Sequence, residues 1–172
     1  MRKMIYNKIT QSLSQNKKVF KDLLIDLTEE IYMWKPNPEK WCLLEIICHL
    51  YDIEREDFRA RTKHILETPA EPLPPVDPQG WVISKNYIQQ DYDEKLNDFL
   101  LEREKSIRWL QALKNPKWDN AYEHRKFGKM TAGMLLSNWL AHDYLHIRQI
   151  TKIKYDHLKE LTKEDLSYAG SW

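Results

Sequence analysis

The stretch TAGMLLSNWLAHDYLHIRQITKIK, residues 131–154, decides the fold class, because it has the residue pattern of one long helix. Thr131 is a suitable N-cap, since its hydroxyl can accept a hydrogen bond from the first turn of the helix. The stretch therefore predicts a helix that begins after Thr131 and runs to about Lys154. Within this helix, His142 and His146 are one turn apart and share a face.

Three more long helices are predicted from apolar residues that recur at helical spacing. Their predicted bounds are about 6–27, 43–66 and 92–113, with a short helical piece near 81–90. No run of residues alternates between apolar and polar with the β-branched enrichment of a strand.

Two segments between these helices are predicted as loops. The segment ETPAEPLPPVDPQG, residues 67–80, contains five of the eight prolines and is long enough to cross between distant helices. The segment DNAYEHRKFGKM, residues 119–130, is predicted as a second loop, with Gly128 as its flexible point. We therefore predict an all-α fold, a four-helix bundle with a long crossover loop between helices 2 and 3.

The length and composition indicate a single domain spanning residues 1–172. The 27 Lys and Arg residues nearly balance the 26 Asp and Glu residues, so no net charge favours nucleic acid or a membrane as a partner. The longest apolar runs fall far short of the ~20 residues that span a bilayer, and the start is too polar for a signal peptide. We expect a soluble, cytoplasmic protein. Its four glycines argue against phosphate-binding loops and all-β folds.

The two cysteines, Cys42 and Cys48, match neither a disulfide framework nor a Cys-x-x-Cys motif, and we expect reduced, packed thiols.

The histidine pattern admits two interpretations. Six histidines in a chain of this size readily produce one i, i+4 pair, so the spacing of His142 and His146 alone is weak evidence. His49 adds to it, since it lies in the apolar stretch LLEIICHL, where a solvated histidine is out of place. Its ring is either a core histidine hydrogen-bonded to a carbonyl or carboxylate, or it faces His142 and His146 across the bundle.

Three facing imidazoles would bind a divalent metal ion such as Zn²⁺, Ni²⁺ or Fe²⁺ and leave a coordination position open, as catalytic sites do. Asp52, Asp143 and Asn138 are candidates for orienting the ligating rings, because each lies close to a histidine in its helix. The alternative for the two acids is that they are solvated residues of a helix surface.

The sequence HDYLH, residues 142–146, looks like the zincin motif His-Glu-x-x-His with Asp in place of Glu. The shorter acid weakens the geometry of a general base, and Gln149 and Lys152 stand where the longer motif has Gly and a third His. A protease is therefore disfavoured. The remaining histidines are predicted at the surface: His64, His124 and His157.

Two segments together resemble a known family. PNPEKWCLLEIICHLYDIE, residues 36–54, and MTAGMLLSNWLAHDYLHIRQI, residues 130–150, are similar to the DinB/YfiT-like superfamily, and the similarity extends to the LSYAGSW tail. The resemblance implies a four-helix bundle, often a homodimer, with a divalent metal ion on His49, His142 and His146. Cys42 departs from the Ser or Thr that is common in the family at this helix start.

Relatives with known activities include bacillithiol S-transferases and mycothiol-dependent isomerases. The leading hypothesis is therefore a metal-dependent enzyme that transfers a low-molecular-weight thiol to a small-molecule substrate. A hydrolase that uses a metal-bound water and a non-catalytic metal-binding stress-response protein are the alternatives.

Overall fold

Long helices dominate the computed structural model, which describes residues 2–172. In chain order, the helices and strands are α1 (Arg2–Leu24), α2 (Glu29–Tyr32), α3 (Leu43–Asp52), a π-helical segment (Ile53–Arg59), α4 (Ala60–Glu67), α5 (Trp81–Ser84), a 3₁₀ turn (Tyr87–Gln89), α6 (Tyr92–Ala112), β1 (Ala121–His124), β2 (Gly128–Thr131), α7 (Ala132–Thr162) and a 3₁₀ turn (Ser167–Ala169). The four members of the bundle are α1, the run from α3 to α4, α6 and α7. The predicted four-helix bundle is confirmed.

The helix starts follow from local side-chain chemistry. The Thr131 hydroxyl accepts a hydrogen bond of 3.0 Å from the Met134 amide and caps α7 as predicted. At the start of α3, the Cys42 amide donates to the Glu45 carboxylate over 2.8 Å, and the Cys42 thiol faces the Glu45 amide in return. A capping box therefore forms with sulfur in place of the usual Ser or Thr hydroxyl.

The second bundle helix contains a feature that periodicity does not predict. Residues 43–67 are helical throughout, but the middle seven residues, Ile53–Arg59, form a π-helix. A π-helix holds more residues per turn than an α-helix, so it shifts which side chains face the bundle interior. Glu54 and Phe58 are buried in this segment, directly after the turn that carries His49.

The region predicted as the second loop is a β-hairpin, so that prediction was wrong. Strands β1 and β2 pair antiparallel, and a loop of three residues joins His124 to its partner Gly128. Gly128 has φ +66°, the left-handed conformation that follows a three-residue hairpin loop. Strands of four residues are too short to display a clear alternating pattern.

Two helices have other boundaries than predicted: α1 spans Arg2–Leu24 in place of 6–27, and α7 runs on to Thr162, two turns beyond Lys154. The short helical piece predicted near 81–90 is present as α5 and a 3₁₀ turn. Among the described residues, no helix combines the length and the apolar content that a bilayer span requires.

The bundle core lies between α1, α3, α6 and α7. Helix α1 packs against α6 and α7, α3 packs against α6, and α4 packs against α7. Phe20 and Phe99 meet edge to face in the centre, with ring centroids 5.3 Å apart. The predicted packing of the cysteines holds, since both thiols are free and buried. This packing fixes α3 and α7 beside each other, which positions the three histidines.

Candidate metal centre

The structure brings His49, His142 and His146 together across the interface between α3 and α7. The Nε2 atom of His142 lies 3.3 Å from His49 Nε2 and 3.1 Å from His146 Nε2. One nitrogen from each ring lies within 4.8 Å of the others. These three residues are therefore a group that can hold a metal ion.

The nitrogen separations match a metal site better than a hydrogen-bonded one. Nitrogens about 2.1 Å from one ion lie roughly 3.0 to 3.4 Å apart when the angle at the ion is between 90° and the tetrahedral value. Without an ion, a proton on His142 Nε2 can satisfy only one of its two neighbours. At the other contact, two nitrogen lone pairs face each other, which is unfavourable. A cation between the three nitrogens would remove this repulsion.

The three rings are neutral, which is the form that binds metal ions. Burial, followed by the charge of His146, lowers the pKa of His49 to about 3. Burial and the neighbouring histidines lower the pKa of His142 to about 2. Burial lowers the pKa of His146 to about 4, against opposing effects of Gln149 and Asp143. No proton has to be displaced from these rings at neutral pH when a cation binds.

Aromatic packing holds the rings in place. Trp41 lies 5.0 Å from the His49 ring and Phe58 lies 5.2 Å from the His142 ring, measured between centroids. The Nδ1 atoms of His49 and His146 are buried and have no hydrogen-bond partner among the described residues. Metal-binding histidines usually receive an oriented partner at this nitrogen. Ring orientation therefore depends on Trp41 and Phe58 more than on hydrogen bonds.

Asp52 does not lie against a histidine ring. Its carboxylate accepts a hydrogen bond of 2.7 Å from the Tyr87 hydroxyl and forms an ion pair of 2.9 Å with Lys85. Both partners belong to the crossover, so Asp52 ties α3 to that segment. Asn138 is also turned away, because its side-chain amide donates to the Met134 carbonyl over 2.9 Å.

Asp143 is fully buried and faces away from the metal-binding group. Both of its oxygens accept hydrogen bonds from the Arg103 guanidinium, at 2.6 and 2.7 Å, and one also accepts from Asn16 over 3.0 Å. This carboxylate therefore has no free position from which to act as the general base of a zincin, as its place in HDYLH would require.

Comparison with known proteins identifies the family of the chain. The sequence model of the DinB superfamily matches residues 12–150, which include all three histidines. The chain belongs to the DinB superfamily. No curated protein sequence matches it.

A solved structure with the same fold is that of YfiT from Bacillus subtilis. It aligns with a TM-score of 0.77 at 18% sequence identity, over 87% of this chain and 86% of that chain. YfiT is described as a probable metal-dependent hydrolase with an unusual four-helix bundle topology. The similarity shows that this DinB-superfamily chain shares the four-helix bundle of YfiT.

The DinB-superfamily chain also contains a buried charge network that its sequence does not reveal. Arg103 Nε donates to Glu54 over 2.9 Å, and Trp139 Nε1 donates to the other Glu54 oxygen over 2.9 Å. With Asp143, two carboxylates thus surround one guanidinium. In the sequence, Glu54 gives a weak indication of burial, because it is an acid that follows an apolar stretch. Arg103 gives none, because it lies in a helix with many charged residues.

The other histidines of this DinB-superfamily protein lie outside the metal-binding group. His64 contacts the Glu71 carbonyl, His124 Nδ1 accepts from the hairpin amides of Lys126 and Phe127, and His157 packs on Trp34. The cysteines are also elsewhere: burial raises the pKa of Cys42 to about 11 and of Cys48 to about 12. Neither thiol belongs to the group that can hold a metal ion.

Proposed function

We propose that this protein is a metal-dependent enzyme that transfers a low-molecular-weight thiol to a small electrophilic substrate. His49, His142 and His146 would hold a divalent cation, namely zinc, nickel or iron. The observation that carries the proposal is the convergence of three neutral Nε2 atoms, 3.1 and 3.3 Å from one to the next, with no fourth protein ligand among the described residues. Three protein ligands and an open position are typical of catalytic sites.

The buried charge network beside the histidines carries an excess of negative charge. Arg103 carries one positive charge against the two carboxylates of Glu54 and Asp143, so the network beside the histidines has a formal charge of −1. All three side chains are buried, and buried charges interact strongly because water does not screen them. A cation on the neighbouring imidazoles would balance this excess.

When bound, such a cation acts as a Lewis acid and lowers the pKa of a coordinated thiol or water. The nearby acids decide which of the two suits this site. Asp52 and Asp143 are engaged as described, and Glu45, one turn before His49, accepts from the Cys42 amide and pairs with Lys35. Each of these three carboxylates is thus engaged with other partners, and a nucleophile at this site has to lose its proton without their help.

A thiol loses its proton more readily than water, because its pKa before coordination is about 8.5 against about 15.7 for water, and this difference favours thiol transfer. The thiol proton leaves to solvent, the sulfur forms a new bond to the electrophilic carbon, and the leaving group departs with the electron pair of the bond that breaks. Trp41 and Phe58 would give the reacting atoms apolar surroundings on two sides.

A metal-dependent hydrolase is the second candidate, because YfiT, which shares the fold, is described as probably having that activity. The two candidates differ in the nucleophile. Turnover of halogenated aromatic electrophiles and activated esters, measured with and without added thiol, separates them. Thiol-dependent loss of the electrophile supports transfer, while ester cleavage without thiol supports hydrolysis and overturns it. Full metal content with no turnover of either class overturns both.

The metal site itself is tested by elemental analysis of purified protein. We expect about one divalent ion per chain, reduced at least tenfold in His49→Ala and His146→Ala, since each removes one of three ligands. His124→Ala is the matched control, because His124 lies in the hairpin, and it should leave the metal content unchanged. Metal content that is unaffected by both ligand substitutions contradicts the proposal.

A further inference from the structure

A cleft of about 700 Å³ lies beside the metal-binding group, between α7 and the segment that precedes α3. Its size is in the range of small-molecule sites. One of its residues, Trp41, also packs on the His49 ring, and a second, Gln149, follows His146 by three residues in α7. The cleft therefore begins where the candidate metal centre ends.

The cleft walls carry an excess of positive charge. Lys40, Arg148 and Lys152 line it, whereas Asp156 is its single acidic residue and is already paired with Lys152. Among the described residues, the side chains of Lys40 and Arg148 form no ion pair or hydrogen bond. Two unpaired cations thus face one cavity in a protein whose net charge is only +1.

Aromatic residues give the cleft apolar walls. Trp41 lies at its inner end, and Trp172 lies against Tyr155 with ring centroids 5.4 Å apart. The Lys152 ammonium is 5.8 Å from the Trp172 ring centroid, so the ring also helps to hold this cation in place. Cationic groups beside apolar walls suit a ligand that has an anionic end and an apolar or neutral body.

Helix geometry gives the separation along the axis of α7 between the histidines and these cations. Arg148 and Lys152 follow His146 by two and six residues in α7. At the helical rise of 1.5 Å per residue, they lie about 3 and 9 Å further along the axis. At about 100° per residue, Arg148 lies about 160° and Lys152 about 120° around α7 from His146, so a ligand held by these cations would have to extend around the helix, past Gln149, to approach the histidines.

We propose that this cleft binds the anionic end of the low-molecular-weight thiol, a carboxylate or phosphate group held by Lys40 and Arg148. The inference rests on the proposed function in placing the reactive end at the three histidines. The anion site itself is formed by the protein alone and does not depend on a bound metal. Electrostatic attraction to the two cations would orient the ligand before reaction.

The anion site is tested on metal-free protein by titration with succinate and with inorganic phosphate, followed by ¹H–¹⁵N NMR. Succinamide, which is uncharged, is the ligand control. We expect saturable shifts of the Trp41 indole and Gln149 amide signals with at least one of the two anions and none with succinamide. The anion that binds more tightly identifies the group, carboxylate or phosphate.

The double variant Lys40→Gln/Arg148→Gln should weaken binding of that anion about tenfold, as expected for two lost charge pairs at a partly exposed site. The matched control Lys114→Gln/Arg125→Gln removes the same charge far from the cleft, beyond the screening length of about 10 Å, and should change binding less than twofold. No saturable shift, or equal affinities in the two variants, overturns the anion site. Because no metal is present, that result leaves the three-histidine proposal standing.

The link to the metal centre is tested on cobalt-loaded protein with 3-mercaptopropionate and 2-mercaptoethanol, by sulfur-to-cobalt charge-transfer absorption. The carboxylate-bearing thiol should bind about tenfold more tightly than the neutral one, and the Lys40→Gln/Arg148→Gln variant should remove most of that difference. Cobalt binding without preference for the charged thiol contradicts the inference and not the metal site. Failure of cobalt to bind contradicts the metal site instead.

Discussion

The three histidine side chains show how burial prepares residues for metal binding. In the unfolded chain each imidazole has a pKa of about 6.5. Folding lowers these values to about 3 for His49, about 2 for His142 and about 4 for His146. Between pH 6.5 and 4 the unfolded chain therefore binds more protons than the folded one, and protonation favours unfolding.

The first prediction is a loss of stability of the metal-free protein as the pH falls below 6.5. Each histidine that is neutral only when folded lowers the free energy of unfolding by up to about 1.4 kcal/mol per pH unit. Urea unfolding at pH 7, 6 and 5 in the presence of a chelator should show a shallower pH dependence in His142→Asn than in the unmodified chain. His124→Asn should match the unmodified chain. Identical slopes in all three proteins would show that His142 is not held neutral by folding.

The second prediction concerns Arg103, whose side chain is 1% exposed and pairs with Glu54 and Asp143. Arg103→Leu leaves two buried carboxylates without their cation, so the free energy of unfolding should fall by about 3 to 5 kcal/mol. Arg108→Leu, in the same helix, is the control. Its side chain is 77% exposed and pairs with Glu104, so its effect should stay below about 1 kcal/mol. Equal effects in urea unfolding would contradict a central role for the network.

The two kinds of residue differ in how well sequence reveals them. A histidine within LLEIICHL conflicts with its apolar neighbours, and that conflict is enough to single out His49. Arg103 lies in LEREKSIR, where Arg103 and Arg108 look alike. Only the packing of α6 against α1 and α3 buries the first and exposes the second. The hydrogen-bond partners of Asp52, Asp143 and Asn138 also depend on the folded structure, so helix spacing could not predict them.

Among the elements, the long helices are predictable and the short ones are not. Helical periodicity repeats many times over a helix such as α6 or α7, which makes the signal strong. The hairpin strands have four residues each, and the π-helical segment differs from an α-helix by its hydrogen bonding alone. Neither feature produces a distinct sequence pattern.

The third prediction concerns the backbone conformation of Gly128 in the hairpin. Gly128 has φ +66°, so Gly128→Ala places a side chain in the left-handed conformation and should lower stability by about 1 kcal/mol. Nothing lies within 4 Å of the added Cβ, so the cost is conformational and not steric. The neighbouring exposed substitution Lys129→Ala should have no comparable effect. An unchanged thermal midpoint for Gly128→Ala would contradict the assigned backbone conformation.

For the whole molecule, the candidate metal centre joins helices that are far apart in the chain. His49 belongs to α3, and the other two ligands belong to α7. An ion that binds only the folded protein stabilises it by about 2.7 kcal/mol when its free concentration is 100 times the dissociation constant.

The fourth prediction follows from this linkage. Chelation should lower the thermal midpoint of the purified protein, and added zinc should restore it. In His142→Ala both effects should disappear, while His124→Ala should behave as the unmodified chain does. If the thermal midpoint of a metal-containing protein did not change with chelator or zinc, the ion would be bound at a site other than the three histidines. Homodimer formation stays a separate prediction, which sedimentation measurements can test.

The charge network also has a consequence for the order in which the chain is made on the ribosome. Glu54 and Arg103 are synthesised well before Asp143, and Asn16 lies 127 residues from the carboxylate to which it donates. Until α7 has emerged, the Arg103 guanidinium has one acidic partner in place of two, and burying it is correspondingly unfavourable. The buried charge network is therefore complete only after α7 has been synthesised and packed, and the same helix brings two of the three histidines to the metal-binding group.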